Sequence, residues 1–414
     1  MSKPKLLIYT DSEIFGGNEK LIMCLLQNYR IIDNYSIYFV YRKSANFIRH
    51  LNLEFGKYPF STTFSSLGLL SNDFIYDKIK KSKLPVYLCK LLFFFFYILQ
   101  KTNLYFFYNT FVQLFILKKI KPDIIHVFNG GYPGSDSCSS LVISAKILNV
   151  KKVVYQINNL SYKTYNPLRI LFDKLIDYST HNFIIASKQG AYNLEKNRYF
   201  LQKKIVIVPN TILSKNIITT RSETLQGYDY NSRPFVLISI GHLTKRKGHH
   251  FLLEAILYIK NNYPIVYSKL LLFVVGEGEE TFNLKNFIAD NMISDAVKLI
   301  GYKTNHLNYL ICADLFVMPS IFGEDMPLTI LEAMNNKKII IASSLAGMKD
   351  QIENNVSGIL IDLDKDKFVL NLAEKIVFVY NSQDLNYGLN AKIRFDKYFS
   401  NSIYADNLIK IYTK

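Results

Sequence analysis

The sequence predicts an α/β chain of two doubly wound, Rossmann-like parallel-sheet domains. Three observations carry that prediction: the length, short apolar runs alternating with amphipathic segments, and a polar stretch that interrupts the alternation midway. At 414 residues the chain exceeds one ordinary core, because single domains cluster at roughly 100–150 residues. With 49% hydrophobic and 20% charged residues it can offset the entropy of ordering, which excludes a disordered class.

In the first series, residues 5–9 form a strand, Gly16-Gly17 a turn and 19–29 an amphipathic helix. Strands follow at 123–128, 152–157, 183–186 and 205–208. Apolar runs of this kind between helices suit parallel strands covered on both faces. Residues 211–234 are polar, aperiodic and end on a proline, and are expected to be a linker. The second series has strands at 235–240, 270–275, 297–299, 315–318, 338–342 and 358–361, with helices at 249–259 and 327–335. Residues 398–414 read as a helix that returns to the first domain. The expected division is 1–210 plus 398–414, a linker 211–234, and 235–397. Ligands of this architecture bind in a central cleft, outside the carboxyl ends of the strands.

Cys24, Cys89, Cys138 and Cys312 are far apart and lack the spacing of a zinc site, so reduced structural thiols are expected. The apolar run 6–9 is too short for a signal-peptide core, and a cytosolic chain is expected. A formal charge of +17 attracts phosphates, whether of nucleic acid, anionic lipid or a diphosphate-linked sugar. Part of the excess lies in 78–121, where nine lysines and no Asp or Glu surround the apolar runs 91–99 and 104–117. Neither run reaches the roughly 20 residues that span a bilayer. Docking on an anionic membrane surface is the favoured expectation, ahead of buried helices with snorkelling lysines and of true insertion.

The chemistry concentrates in 319–334, PSIFGEDMPLTILEAM, which follows a strand and so sits at a carboxyl end. Pro327 suits the first position of a helix, where its missing N–H has no partner to lose. Met326 then falls near the cap, which a thioether serves poorly. The amides of Leu328 and Thr329 at an uncapped, positive helix end make an anion site, expected to take a diphosphate. Glu324 precedes the helix, where it can accept from sugar hydroxyls. Glu332 lies in the second turn among Leu328, Leu331 and Met334, a surrounding costly for a charge without donors, and a ribose diol supplies two.

This segment resembles the E-x7-E signature of the retaining GT-B-fold glycosyltransferases of family 4, the group 1 glycosyltransferases. Glu324 and Glu332 hold its two glutamate positions; Pro327-Leu328 and Leu331-Glu332-Ala333-Met334 match directly, while Asp325-Met326 replace the usual Gly-Phe. Further matches fall in the family's order: Gly16-Gly17-Asn18-Glu19, Asp123-Ile124-Ile125-His126, Val208-Pro209-Asn210, Gly241-His242-Leu243 to Lys247-Gly248, Val275-Gly276-Glu277-Gly278 and Ala313-Asp314. The resemblance implies a GT-B architecture, with the donor in the second domain and the acceptor in the first. It implies that Lys247 neutralises donor phosphate and that His126, ending its strand, stands near the donor sugar. His242 replaces an arginine, so Arg246 or Lys245 is expected to compensate. Gly16 and Gly17 would let backbone approach a phosphate or acceptor.

Asp362, Asp364 and Asp366 imitate a metal-binding D-x-D but follow a late strand, and no metal or other cofactor is expected. Gly276-x-Gly278 lacks the third glycine of a dinucleotide fingerprint. The function expected is hexosyl transfer, with retention, from a UDP- or GDP-linked sugar to a glycan or lipid-linked glycan in bacterial surface polysaccharide assembly. The site would lie at the inner face of the cytoplasmic membrane, with no nucleic-acid partner. The rivals are a nucleotide-sugar epimerase of the same fold and a non-enzymatic polyanion-binding protein.

Overall fold

The computed structural model describes residues 3–12, 16–44, 47–49, 51–52, 62–69, 79–80, 82, 84–101, 104–165, 167–198, 200–214, 217–382 and 386–414. Residues 78, 81, 83 and 102–103 of the basic stretch and 215–216 of the expected linker lie outside them. The chain divides into two compact units. One is Met1–Ala186 with Gly190–Val208 and Ala405–Lys414; the other is Ser187–Gln189 with Pro209–Tyr404.

The first unit is built on seven strands: β1 (Lys5–Thr10), β2 (Ser36–Arg42), β3 (Thr62–Leu67), β4 (Ile124–Asn129), β5 (Lys152–Ile157), β6 (Asn182–Ile185) and β7 (Ile205–Ile207). Their order is β3-β2-β1-β4-β5-β6-β7, and every pairing is parallel. Tyr9, Val127, Tyr155 and Phe183 supply the core on one sheet face, closed by Leu141 and Val142 of the helix Asp136–Ile147.

The second unit holds β8 (Phe235–Ile240), β9 (Leu270–Val275), β10 (Val297–Gly301), β11 (Leu315–Met318), β12 (Ile339–Ser343) and β13 (Ile359–Ile361). The order is β10-β9-β8-β11-β12-β13, again all parallel. Leu252 and Ile256 of the helix His249–Asn262 and Ile376 of the helix Phe368–Asn381 pack on Leu272 and Val317. The fold class is the one expected: two doubly wound, Rossmann-like parallel-sheet domains. In each, the order reverses at one point, between β1 and β4 and between β8 and β11, and such a reversal opens a crevice at the carboxyl ends.

Three details differ from expectation. Two strands, β2 and β3, lie where none was assigned. The described residues of 211–234, which are 211–214 and 217–234, belong to the second unit rather than to a separate tether. Thr220 caps the short helix Arg221–Thr224 in a box with Glu223, Leu225 is buried, and the Thr211 hydroxyl donates to the Phe399 carbonyl at 2.7 Å. The last helix is Asn401–Thr413, and only Ala405–Lys414 counts with the first unit.

Candidate active site

In the second unit, two chain segments leave neighbouring strands at the reversal point: 241–248 after β8 and 319–327 after β11. Gly248 joins them closely. It has φ +66°, and a Cβ there would stand 2.0 Å from the Pro319 carbonyl oxygen, so only glycine fits. Ile321 N donates to the Arg246 carbonyl at 2.9 Å, fixing one segment against the other.

That register puts the basic turn beside the first glutamate. Lys247 Nζ lies 2.7 Å from Glu324 Oε1, and Arg246 forms a second ion pair with the same oxygen while donating to the Gly323 carbonyl at 3.2 Å. Glu324 is buried and would carry a large desolvation cost without these cations. Lys245 and His242 are exposed. Arg246, not Lys245, therefore stands with Lys247.

The helix after Glu324 runs Leu328–Asn335, and no side chain caps it. Pro327 is its N-cap, in extended conformation (φ −66°, ψ 133°), rather than its first helical residue. This corrects the expected boundary by one position. The fixed ring φ suits either place, and ψ decides. Met326 is buried, and its carbonyl accepts from Asn210 Nδ2 at 2.9 Å. Glu332 is buried in the second turn, and His306 Nε2 donates to its Oε2 at 3.1 Å.

Beside this site, the ends of β8, β9 and β10 surround a cavity of about 550 Å³, lined by Leu243, Gly276, Glu277, Gly278, Thr281 and Lys285 among others. A Cβ on Gly276 would meet the Gly241 carbonyl oxygen at 1.9 Å, and one on Gly278 the Leu243 carbonyl oxygen at 2.3 Å. The two glycines thus let the β8 and β9 loops close on each other. Asp325, one residue from the paired Glu324, is buried; burial pushes its carboxyl up to about 6, against a hydrogen bond from Ser187 that lowers it.

The remaining expected residues belong to the first unit. Gly16 precedes the helix Gly17–Leu26, and its N–H donates to Glu19 Oε2 at 2.9 Å, so this helix start already carries a carboxylate. His126 does not end its strand. It sits in the middle of β4, fully buried, with Nδ1 2.5 Å from the Tyr412 hydroxyl and its ring against Phe128. Burial drives it down to about 3, so the imidazole is neutral. In the first unit it is a core residue, because β4 runs three residues beyond it.

Among the described residues no group of three or more His, Cys, Asp or Glu could hold a metal ion, and Asp362, Asp364 and Asp366 are exposed in the loop after β13. Sequence reasoning missed His306, whose signal is only a histidine opening the short helix His306–Cys312 before β11. It also missed the lining residues Glu277, Thr281 and Lys285, although the glycines between which Glu277 lies were noted.

The family model described as glycosyl transferases group 1 matches residues 221–394. Over 268 residues the chain is 28% identical to the UDP-Gal:alpha-D-GlcNAc-diphosphoundecaprenol alpha-1,3-galactosyltransferase of Escherichia coli, covering 61% of this chain and 66% of that protein. Over 133 residues it is 32% identical to the amylovoran biosynthesis glycosyltransferase AmsK of Erwinia amylovora, covering 30% and 32%. The matches thus span less than two thirds of the length of these curated relatives. A glycosyltransferase from Rickettsia africae superposes with a TM-score of 0.75 at 18% identity, over 100% of this chain and 98% of that one. Anabaena HepE in complex with UDP gives 0.69 at 15%, over 98% of each. At these identities the likeness establishes the GT-B fold alone. Residues 221–394, the part of the chain similar to the group 1 glycosyl transferases, carry Arg246, Lys247, Glu324 and Glu332 on that fold.

Proposed function

We propose that this chain is a metal-independent, retaining hexosyltransferase that moves a sugar from a UDP- or GDP-linked donor to a glycan or lipid-linked glycan in surface polysaccharide assembly. The observation that carries the reading is Glu324 held by Arg246 and Lys247 beside an uncapped helix start, with Glu332 in that helix's second turn. Two cations facing one carboxylate leave net positive charge where a diphosphate needs it. Together with the amides of Leu328 and Thr329 they supply the stabilisation that a divalent ion supplies in other transferases. Glu332 then takes the ribose hydroxyls and Glu324 the sugar hydroxyls, while the neighbouring cavity has room for the base.

As the anomeric C–O bond breaks, its electron pair leaves with the diphosphate, and Lys247 holds the charge that develops. The acceptor hydroxyl bonds the anomeric carbon on the same face, and its proton passes to the departing phosphate oxygen. The names of similar proteins support this substrate class: one is a galactosyltransferase acting on a diphosphoundecaprenol-linked sugar, and another serves amylovoran biosynthesis. An acceptor on a lipid carrier would put the reaction at the inner face of the cytoplasmic membrane.

Proton NMR of the product formed from each of a panel of nucleotide-sugars tests the proposal. Transfer with the donor's anomeric configuration, and only with acceptor present, is expected. An epimeric nucleotide-sugar formed without acceptor would favour the epimerase, and no turnover of any donor would favour a polyanion-binding protein.

A further inference from the structure

The first unit carries a helix that turns an aromatic stripe outward while Tyr105, Phe106, Leu117 and Ile120 are buried together with two polar side chains. Along Leu104–Ile120 the polar Asn109 and Gln113 are buried, Gln113 Nε2 donating to the Ser137 carbonyl at 2.8 Å and its Oε1 accepting from Ser140 at 2.7 Å. Phe107, Phe111 and Phe115, at every fourth position, are 60–61% exposed, and the stripe ends on exposed Lys118 and Lys119. A helix facing water places these side chains the other way round.

The preceding helix, Val86–Lys101, repeats the arrangement. Cys89, Leu92, Phe93 and Phe96 pack with buried Tyr105. Leu91, Phe94 and Phe95 are 54–62% exposed, with exposed Lys90 among them. Apolar surface on this scale marks an interaction site.

We infer that these two helices dock in the headgroup layer of an anionic lipid bilayer, phenylalanines toward the acyl boundary and lysines on phosphate. The charge pattern chooses this occupant. Residues 78–121 hold nine lysines and no Asp or Glu, so a second copy would set like charge against like, whereas anionic lipid is complementary. Outward phenylalanines find no counterpart on a duplex phosphate surface, but the acyl boundary takes them. No helix among the described residues is long and apolar enough to cross a membrane, so the pair lies along the surface. The inference stands independently of the transferase reading.

The chain contains no tryptophan, so Phe111→Trp adds a single reporter. With phosphatidylcholine–phosphatidylglycerol vesicles its emission shifts to the blue and is quenched by lipid brominated on the acyl chain. Pure phosphatidylcholine vesicles, or high salt, weaken binding roughly tenfold. In flotation, the triple variant Phe107→Ser, Phe111→Ser, Phe115→Ser loses binding roughly tenfold or more at both salts. Lys118→Glu with Lys119→Glu loses it at low salt only. Circular dichroism checks the fold of each variant; if the serine variant does not fold, the tryptophan reporter decides. Unshifted and unquenched emission with anionic vesicles overturns the inference. So does a lipid-independent blue shift accompanied by a dimer in sedimentation, which assigns the face to a second copy, or a shift with DNA and none with vesicles.

Discussion

Lys247 Nζ and Glu324 Oε1 stand 2.7 Å apart, bringing the turn after β8 and the loop after β11 together at the reversal point of the second sheet. If Lys247 also stabilises the leaving diphosphate, Lys247→Ala removes a charge that acts chiefly in the transition state. The expected loss in kcat is roughly 100- to 1000-fold. Arg246 still pairs with Glu324, so the unfolding midpoint shifts little. Steady-state kinetics and a urea titration on the same variant check both.

His306 Nε2 holds Glu332 at 3.1 Å. If Glu332 grips the ribose, His306 is a positioning residue. His306→Ala then raises the donor KM more than it lowers kcat, since ribose contacts bind substrate and transition state alike. Glu332→Ala goes further: calorimetry is expected to show ribo- and 2′,3′-dideoxynucleoside diphosphates binding equally, whereas the native chain prefers the ribo form.

Gly248→Ala forces a β-carbon to within 2.0 Å of the Pro319 carbonyl oxygen at φ +66°. The backbone must move, at an expected cost of about 1–3 kcal/mol. Because the same turn carries Lys247, turnover falls with stability. Chemical denaturation and donor turnover measured together show the link, and Gly227→Ala, where the added carbon meets nothing within 4 Å, controls for a left-handed glycine in open space.

Burial drives His126 and His249 down to about 3, whereas an unfolded chain titrates them near ~6.5. Between those values the unfolded state binds the extra protons. Their contribution is therefore full above the unfolded pKa and is lost as pH falls, by about 1.4 kcal/mol per pH unit for each. His126→Gln is expected to reduce that slope in urea titrations between about pH 7 and 5. Donor turnover should stay within the same order of magnitude, since the ring lies in the core against Tyr412 and Phe128.

Most strands were legible because their residues form short apolar runs: 152–157, 235–240, 270–275 and 315–318 coincide with β5, β8, β9 and β11. Pattern reading names no strand between Tyr29 and Asp123, yet β2 and β3 lie there. β3, TTFSSL, is an edge strand with Thr63, Phe64 and Ser66 exposed, so it carries no apolar run to detect. Of the site, the E-x7-E spacing and the Lys247 turn were readable as a motif. The pairing of Lys247 and Arg246 with Glu324 was not, because it depends on which strands become neighbours. His126 misled because the resemblance set it at the end of its strand, although both the expected strand 123–128 and the observed β4, Ile124–Asn129, run past it.

The central claim is that Glu324 and its two cations form the reacting end of a nucleotide-sugar site. Release of nucleoside diphosphate from a panel of UDP- and GDP-sugars, compared between the native chain and Glu324→Gln, tests it most directly. At least one donor is expected to be consumed by the native chain and roughly 100-fold or more slowly by the variant. Equal rates in the two proteins, or no donor consumed by either, would contradict the account.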